Sequence, residues 1–215
     1  MARRDRVRCR GPFLDDAIVF PGGAGGGHLC CIFAPHNRSL IHQPNSIAIM
    51  YRSIDDFTRG WSYESDMTKK LLDLITDDSL GVSVDTASRS VGGLAWHLAI
   101  SPSALLSHAG LEIDGPGFQD PPARTAKEIV DAYSTGAAST AAKVGGEWND
   151  GMLADPVEMF GQTWTYGSVL SMIVLHQAHH RGQLTMAMRM AGLPVIGVYG
   201  PTREDWIAQG AEPLP

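Results

Sequence analysis

The run His176-Gln177-Ala178-His179-His180-Arg181-Gly182-Gln183 lies inside a long apolar stretch extending from about Thr165 to Ala191. Gly192 comes at once after it and Pro194 shortly later, the order in which glycine and proline end a helix. The stretch therefore predicts one long helix. Its inward stripe reads Val169, Ile173, His176, His180, Gln183, Ala187 and Met190. His176 and His180 are four apart, which on a helix puts them on one face and about 6 Å apart along the axis. Two imidazoles so placed can share one metal ion, and a third ligand would have to come from a facing helix. His179 is one position off the stripe and reads as flanking. An i, i+3 pairing with His176 would let it replace His180.

Upstream, the pattern is helical from Met50 onward. Ser53-Ile54-Asp55-Asp56 resembles a capping box. Met50, Ile54, Phe57, Trp61, Leu71 and Ile75 then keep an alternating four-three spacing once Glu64 and Thr68 are included, so a first helix is expected to end near Asp77-Asp78. A second helix is expected after Ser88, carrying Leu94, Ala95, His97 and Leu98, with Pro102 bending or dividing it. Residues 110–124 are rich in proline and glycine and read as a long connection. Thr125-Ala126-Lys127-Glu128 is a further capping box, opening an alanine-rich third helix that stops near Gly145-Gly146. Residues 150–164 read as irregular, the tail has no strong pattern, and no series of strands is evident. The expected fold is all-α, a four-helix bundle with a long crossover between the second and third helices.

Residues 1–48 differ from the rest of the chain. The segment Pro21-Gly22-Gly23-Ala24-Gly25-Gly26-Gly27 cannot form a regular element, and it also breaks the apolar region that a signal peptide needs. All three cysteines, Cys9, Cys30 and Cys31, fall here. His28, Cys30, Cys31, His36 and His42 could be read as a metal site, but their spacing matches no zinc pattern. The segment is expected to be a disordered extension, or the product of a start assigned too early, with Met50 as the alternative start. The domain proper is then 50–215. It contains no cysteine, which suits a reducing cytoplasm. The first 48 residues carry six arginines against three aspartates, so the chain's net charge of -6 leaves about -9 on the rest. That balance argues against nucleic acid or an anionic membrane as partner, and no apolar run is long enough for a membrane span.

His97 is the best candidate for a third ligand, because an unpartnered imidazole within Leu94-Ala95-Trp96-His97-Leu98-Ala99 would be costly to bury. A packed, hydrogen-bonded core histidine is the alternative. His108, near the end of the second helix, is expected to be exposed. Gln183 could orient a ligand from the same stripe. Arg181 points away from the stripe and reads as a surface ion pair. Glu64 interrupts the apolar face of the first helix, where it could accept a histidine N–H, act as a base, or simply face water. Trp61 and Trp96 could wall a pocket or fill the core.

His97, with His176, His180 and the adjoining Arg181-Gly182-Gln183, and the Gly192-Leu193-Pro194 ending, resembles the DinB/YfiT-like group of metalloenzymes over residues 50–215. The resemblance implies an up-down-down-up bundle in which His97, His176 and His180 bind one divalent metal. Zinc or nickel suits such ligands, and iron or manganese is compatible. Three imidazoles leave positions open, and the metal would lower the pKa of a bound thiol or water. The resemblance favours a thiol S-transferase using a low-molecular-weight thiol such as bacillithiol or mycothiol, with detoxification or stress response as its setting. Glu64, Arg181 and Gln183 are the candidate catalytic residues. A metal-dependent hydrolase and a non-catalytic metal- or ligand-binding bundle are the alternatives. A small-molecule substrate and a homodimer are expected as partners.

Overall fold

The computed structural model describes residues 49–213, and the readings made for residues 1–48 lie outside them. The described chain is mostly helical: α1 (Ile54–Leu72), α2 (Val91–Leu106), α3 (Ala126–Glu147), α4 (Tyr166–Met190) and a short α5 (Arg203–Ala208). Each of the four long helices opens on a side-chain cap. Ser53 accepts from the Asp56 N–H and Ser90 from the Gly93 N–H, while Thr125 with Glu128 and Thr165 with Ser168 form reciprocal capping boxes.

Two boundaries differ from the sequence reading. α1 ends at Leu72, and the chain then makes a separate 3-10 turn at Asp77–Ser79, so Ile75 is buried outside the helix and Met50 is exposed ahead of it. α2 starts two residues later than expected. The Asp85 carboxylate accepts from the amides of Ala87 and Ser88 at 2.8 and 2.7 Å, and this local turn defers the helix until Ser90 can cap it.

Residues 150–164 are not irregular throughout. A 3-10 turn at Asp150–Ala154 leads into an antiparallel hairpin of β1 (Pro156–Met159) and β2 (Gln162–Thr165). Its two-residue turn places both Phe160 (φ 53°) and Gly161 (φ 71°) in the left-handed region, as a type I′ connection requires. At the far end of α4, Gly192 adopts φ 72°, and the Leu193 N–H reaches back to the Met188 carbonyl at 2.9 Å, a Schellman stop.

α1 packs against α3 and α4, and α2 also packs against α3 and α4. One apolar cluster gathers Phe57, Trp61, Leu106, Val144, Leu170 and Ile173, and a second gathers Leu72, Leu94, Leu98, Ile129, Leu184 and Met188. The start of α2 thus meets the end of α4, and the end of α2 meets the start of α4: the pair is antiparallel. On α4 the two clusters are separated by the polar segment that holds the histidines.

Pro102 neither ends nor divides α2. A proline in a helix cannot donate to the carbonyl four residues back, which here belongs to Leu98. The fully buried Gln177 of α4 supplies the missing donor, its Nε2 lying 3.2 Å from that carbonyl. Its Oε1 lies 3.4 Å from both the Thr68 hydroxyl of α1 and the Tyr133 hydroxyl of α3. One amide therefore joins all four long helices. Gln177→Leu strands the Leu98 carbonyl, and urea unfolding is expected to show a loss of about 1–3 kcal/mol. Pro102→Ala restores a backbone donor, so the same substitution in that background is expected to cost less.

Candidate metal centre

His176 and His180 project from one face of α4 toward α2, where His97 meets them. The ring centroids stand 4.4 Å apart for His176–His180, 4.3 Å for His97–His180 and 5.1 Å for His97–His176. One nitrogen from each ring lies within 4.8 Å of the other two, and the Nε2 atoms of His97 and His180 are 3.0 Å apart. His179 is exposed and outside this group.

Burial drives all three imidazoles toward the neutral form. It brings His97 down to about 3, with the neighbouring His180 and the charge of Arg89 adding to the effect. It brings His176 down to about 4, with His180, His179 and Arg89 contributing. His180 is lowered by burial too, against the raising effect of the hydrogen bond it donates to Gln183. Neutral imidazole is the metal-binding form.

The Gln183 Oε1 lies 2.7 Å from His180 Nδ1. Oxygen can only accept there, so Nδ1 carries the proton and the Nε2 lone pair faces His97. Gln183 sits exposed at the edge of the stripe, and Met190 is also exposed rather than inward.

The donor set fits a divalent cation. Three neutral nitrogens converge, and two nitrogens each about 2.1 Å from one tetrahedral ion would stand about 3.4 Å apart, within the observed range. The buried Nδ1 of His176 has no hydrogen-bond partner, which a purely structural core histidine would be expected to have.

Arg181 is not on the surface: its side chain is 2% exposed. Adjacent helix residues point about 100° apart, so with His180 facing α2, Arg181 is turned to α1. Its guanidinium donates to the Glu64 carboxylate at 2.5 Å, to the Glu64 carbonyl at 2.9 Å, and to the Thr68 hydroxyl at 3.0 Å. It also donates to Tyr199, whose own hydroxyl donates to Glu64 at 2.7 Å. Glu64 therefore neither accepts from a histidine nor faces bulk water, since its side chain is 13% exposed and held in the ion pair. Burial, with the hydrogen bond to Glu64, pushes the Tyr199 phenol up to about 12. Sequence reasoning missed Tyr199, because it lies in a tail without periodicity. Trp61 is core, its indole N–H bonded to the Ala137 carbonyl at 2.9 Å, and Trp96 is half-buried at the second cluster. His108 is exposed beside Phe160.

Arg181→Met would leave the Glu64 carboxylate without its cation, and metal-free protein is expected to lose about 3 kcal/mol or more in urea unfolding. Adding Glu64→Leu is expected to recover a substantial part of that loss. Failure to recover it would show that the pair does more than hold α1 to α4.

The described residues contain no helix long and apolar enough to cross a membrane. The family model described as DinB matches residues 50–212. The uncharacterized protein YrdA of Bacillus subtilis (strain 168) is 34% identical over 163 residues, spanning 76% of this chain and 98% of that protein. The crystal structure of a DinB-like protein from Bacillus cereus (ATCC 10987) is 36% identical with a TM-score of 0.67, covering 70% of this chain and all of that one. A second DinB-like structure, YjoA of Bacillus subtilis, shares the fold at 20% identity and a TM-score of 0.52, over 63% of this chain and 91% of its own. With a family match across most of its length and relatives at this identity, the chain belongs to the DinB family.

Proposed function

We propose that this protein is a divalent-metal-dependent enzyme of the thiol S-transferase type, joining a low-molecular-weight thiol to a small electrophile. The observation that carries the reading is the convergence of three neutral imidazoles, one of them with its tautomer set by Gln183. A divalent ion held by His97, His176 and His180 would keep positions open and would lower the pKa of a thiol bound there. In the reaction the thiol proton passes to solvent, the sulfur–carbon bond forms, and the leaving group departs. Imidazoles without thiolate ligands suit zinc or nickel, with iron or manganese compatible.

The chain's own residues divide the work. His97, His176 and His180 hold the ion. Gln183 keeps the Nε2 lone pair of His180 aimed at the centre. Glu64 and Arg181, catalytic candidates by sequence, act by positioning: their ion pair fixes α4 against α1. The pairwise packing of the helices supports an up-down-down-up four-helix bundle as the frame. We place the enzyme in the cytoplasm, acting on a small molecule rather than on nucleic acid or membrane, as a homodimer.

Metal content measured by mass spectrometry on the purified protein tests the centre. About one divalent ion per chain is expected, with near-complete loss in His97→Ala and His176→Ala. Loss of thiol in the presence of a standard electrophile then tests the reaction. Hydrolysis of an ester or amide without thiol consumption would replace the transferase reading with a hydrolase. A bound metal with no turnover of either kind would leave a binding protein.

A further inference from the structure

The face of α2 that carries His97 has at its N-terminal end a cation that the site as described does not use. Arg89 is exposed and immediately precedes Ser90, the cap of α2. Its stem folds back along the helix. A Cβ built on Gly93 would meet the Arg89 Cβ at 3.5 Å and Cγ at 4.0 Å. Gly93 and His97 are four apart on α2, so Arg89 lies over the face that carries His97 one turn later. Because α2 and α4 are antiparallel, the early residues of α2 run beside the late residues of α4. The exposed Gln183 therefore lies toward the same end as Arg89.

No carboxylate neutralises it among the described residues. Among the described residues Arg59, Arg181 and Arg189 have acidic partners, whereas Arg89, like Arg52, Arg124 and Arg203, has none; of these four it is the one that lies on the His97 face of α2. The nearest acid in sequence, Asp85, is engaged by the amides of Ala87 and Ser88. The first turn of α2 contains no acidic residue, so the positive end of the helix dipole adds to the same field.

We propose that Arg89 is a specificity-determining residue of the three-histidine centre, pairing with a carboxylate on the small molecule that enters it. The inference rests on the metal-centre reading and extends it by naming the substrate class: a compound with a carboxylate a few bonds from the atom that meets the metal. A guanidinium offers two parallel N–H donors that match a carboxylate. The cation beside the metal would draw such a molecule in and orient it.

The test uses cobalt(II)-loaded protein, whose visible spectrum reports both metal occupancy and thiol binding. The probes are 3-mercaptopropionate and its neutral amide, 3-mercaptopropionamide. Wild-type protein is expected to bind the carboxylate about fivefold more tightly than the amide at low ionic strength. The preference should shrink as salt is raised. Arg89→Ala is expected to keep the cobalt spectrum and the melting temperature but bind the two probes equally, and Arg89→Lys to retain part of the preference. Equal binding by wild type, an undiminished preference in Arg89→Ala, or no response to either thiol would overturn the inference while the metal centre stands. Absence of any cobalt spectrum would overturn the metal reading itself, and this inference with it.

Discussion

The rotation of α4 about its own axis is the constraint on which the site depends. His176 and His180 must face α2, and on an ideal helix the residue after His180 is then turned by about 100°. That residue is Arg181, and it finds Glu64, Thr68 and the α1 backbone at the place its direction dictates. A guanidinium that is 2% exposed is costly to bury, and the cost is met only while its acceptors stay in place. A small rotation of α4 would break the Arg181 contacts and swing both histidines away from His97. The ion pair and the histidine cluster therefore share one degree of freedom, although no histidine touches Glu64 or Arg181 in the hydrogen-bond pattern.

Gln177 acts on the same coordinate from a third direction. Its amide meets the Leu98 carbonyl of α2, next in sequence to His97, and lies near hydroxyls from α1 and α3. The vacancy it fills is created by Pro102. A proline that would ordinarily weaken a helix here produces an acceptor that only a polar residue on α4 can satisfy. This specifies register between α2 and α4 more sharply than apolar packing does, because an apolar contact tolerates sliding and a buried amide does not.

Much of this was legible in the sequence. The histidine spacing, the capping residues and the glycine stop of α4 are local signals, and local geometry bore out each of them. Arg181 was misread because a single stripe was drawn on α4. A helix packed against both α1 and α2 buries a wider arc, which takes in Gln177, Arg181, Leu184 and Met188. Periodicity locates one face well and a second face poorly when that second face is polar. Tyr199 gave no signal for a related reason: a tail residue acquires its role only when the chain folds back on Glu64. The hairpin was hidden by its shortness, since two four-residue strands cannot display a convincing alternation. The Phe160-Gly161 pair was the trace it left.

Net charge was the least informative quantity for the site. The acidic excess of the chain speaks to its average surface and to partners that sample that surface, such as nucleic acid. A small molecule approaching the histidines at the start of α2 would meet a different field. There the acid of the preceding loop is tied to amides, the first turn of α2 has no carboxylate, and Arg89 has no acidic partner among the described residues. The acidic residues near the core are likewise engaged, Glu64 by Arg181 most of all. An acidic protein can in this way be positive locally, where the nearest carboxylate is committed to backbone amides. The sign that would matter to a ligand is set by which charges remain unpaired around the imidazoles, not by the chain's total.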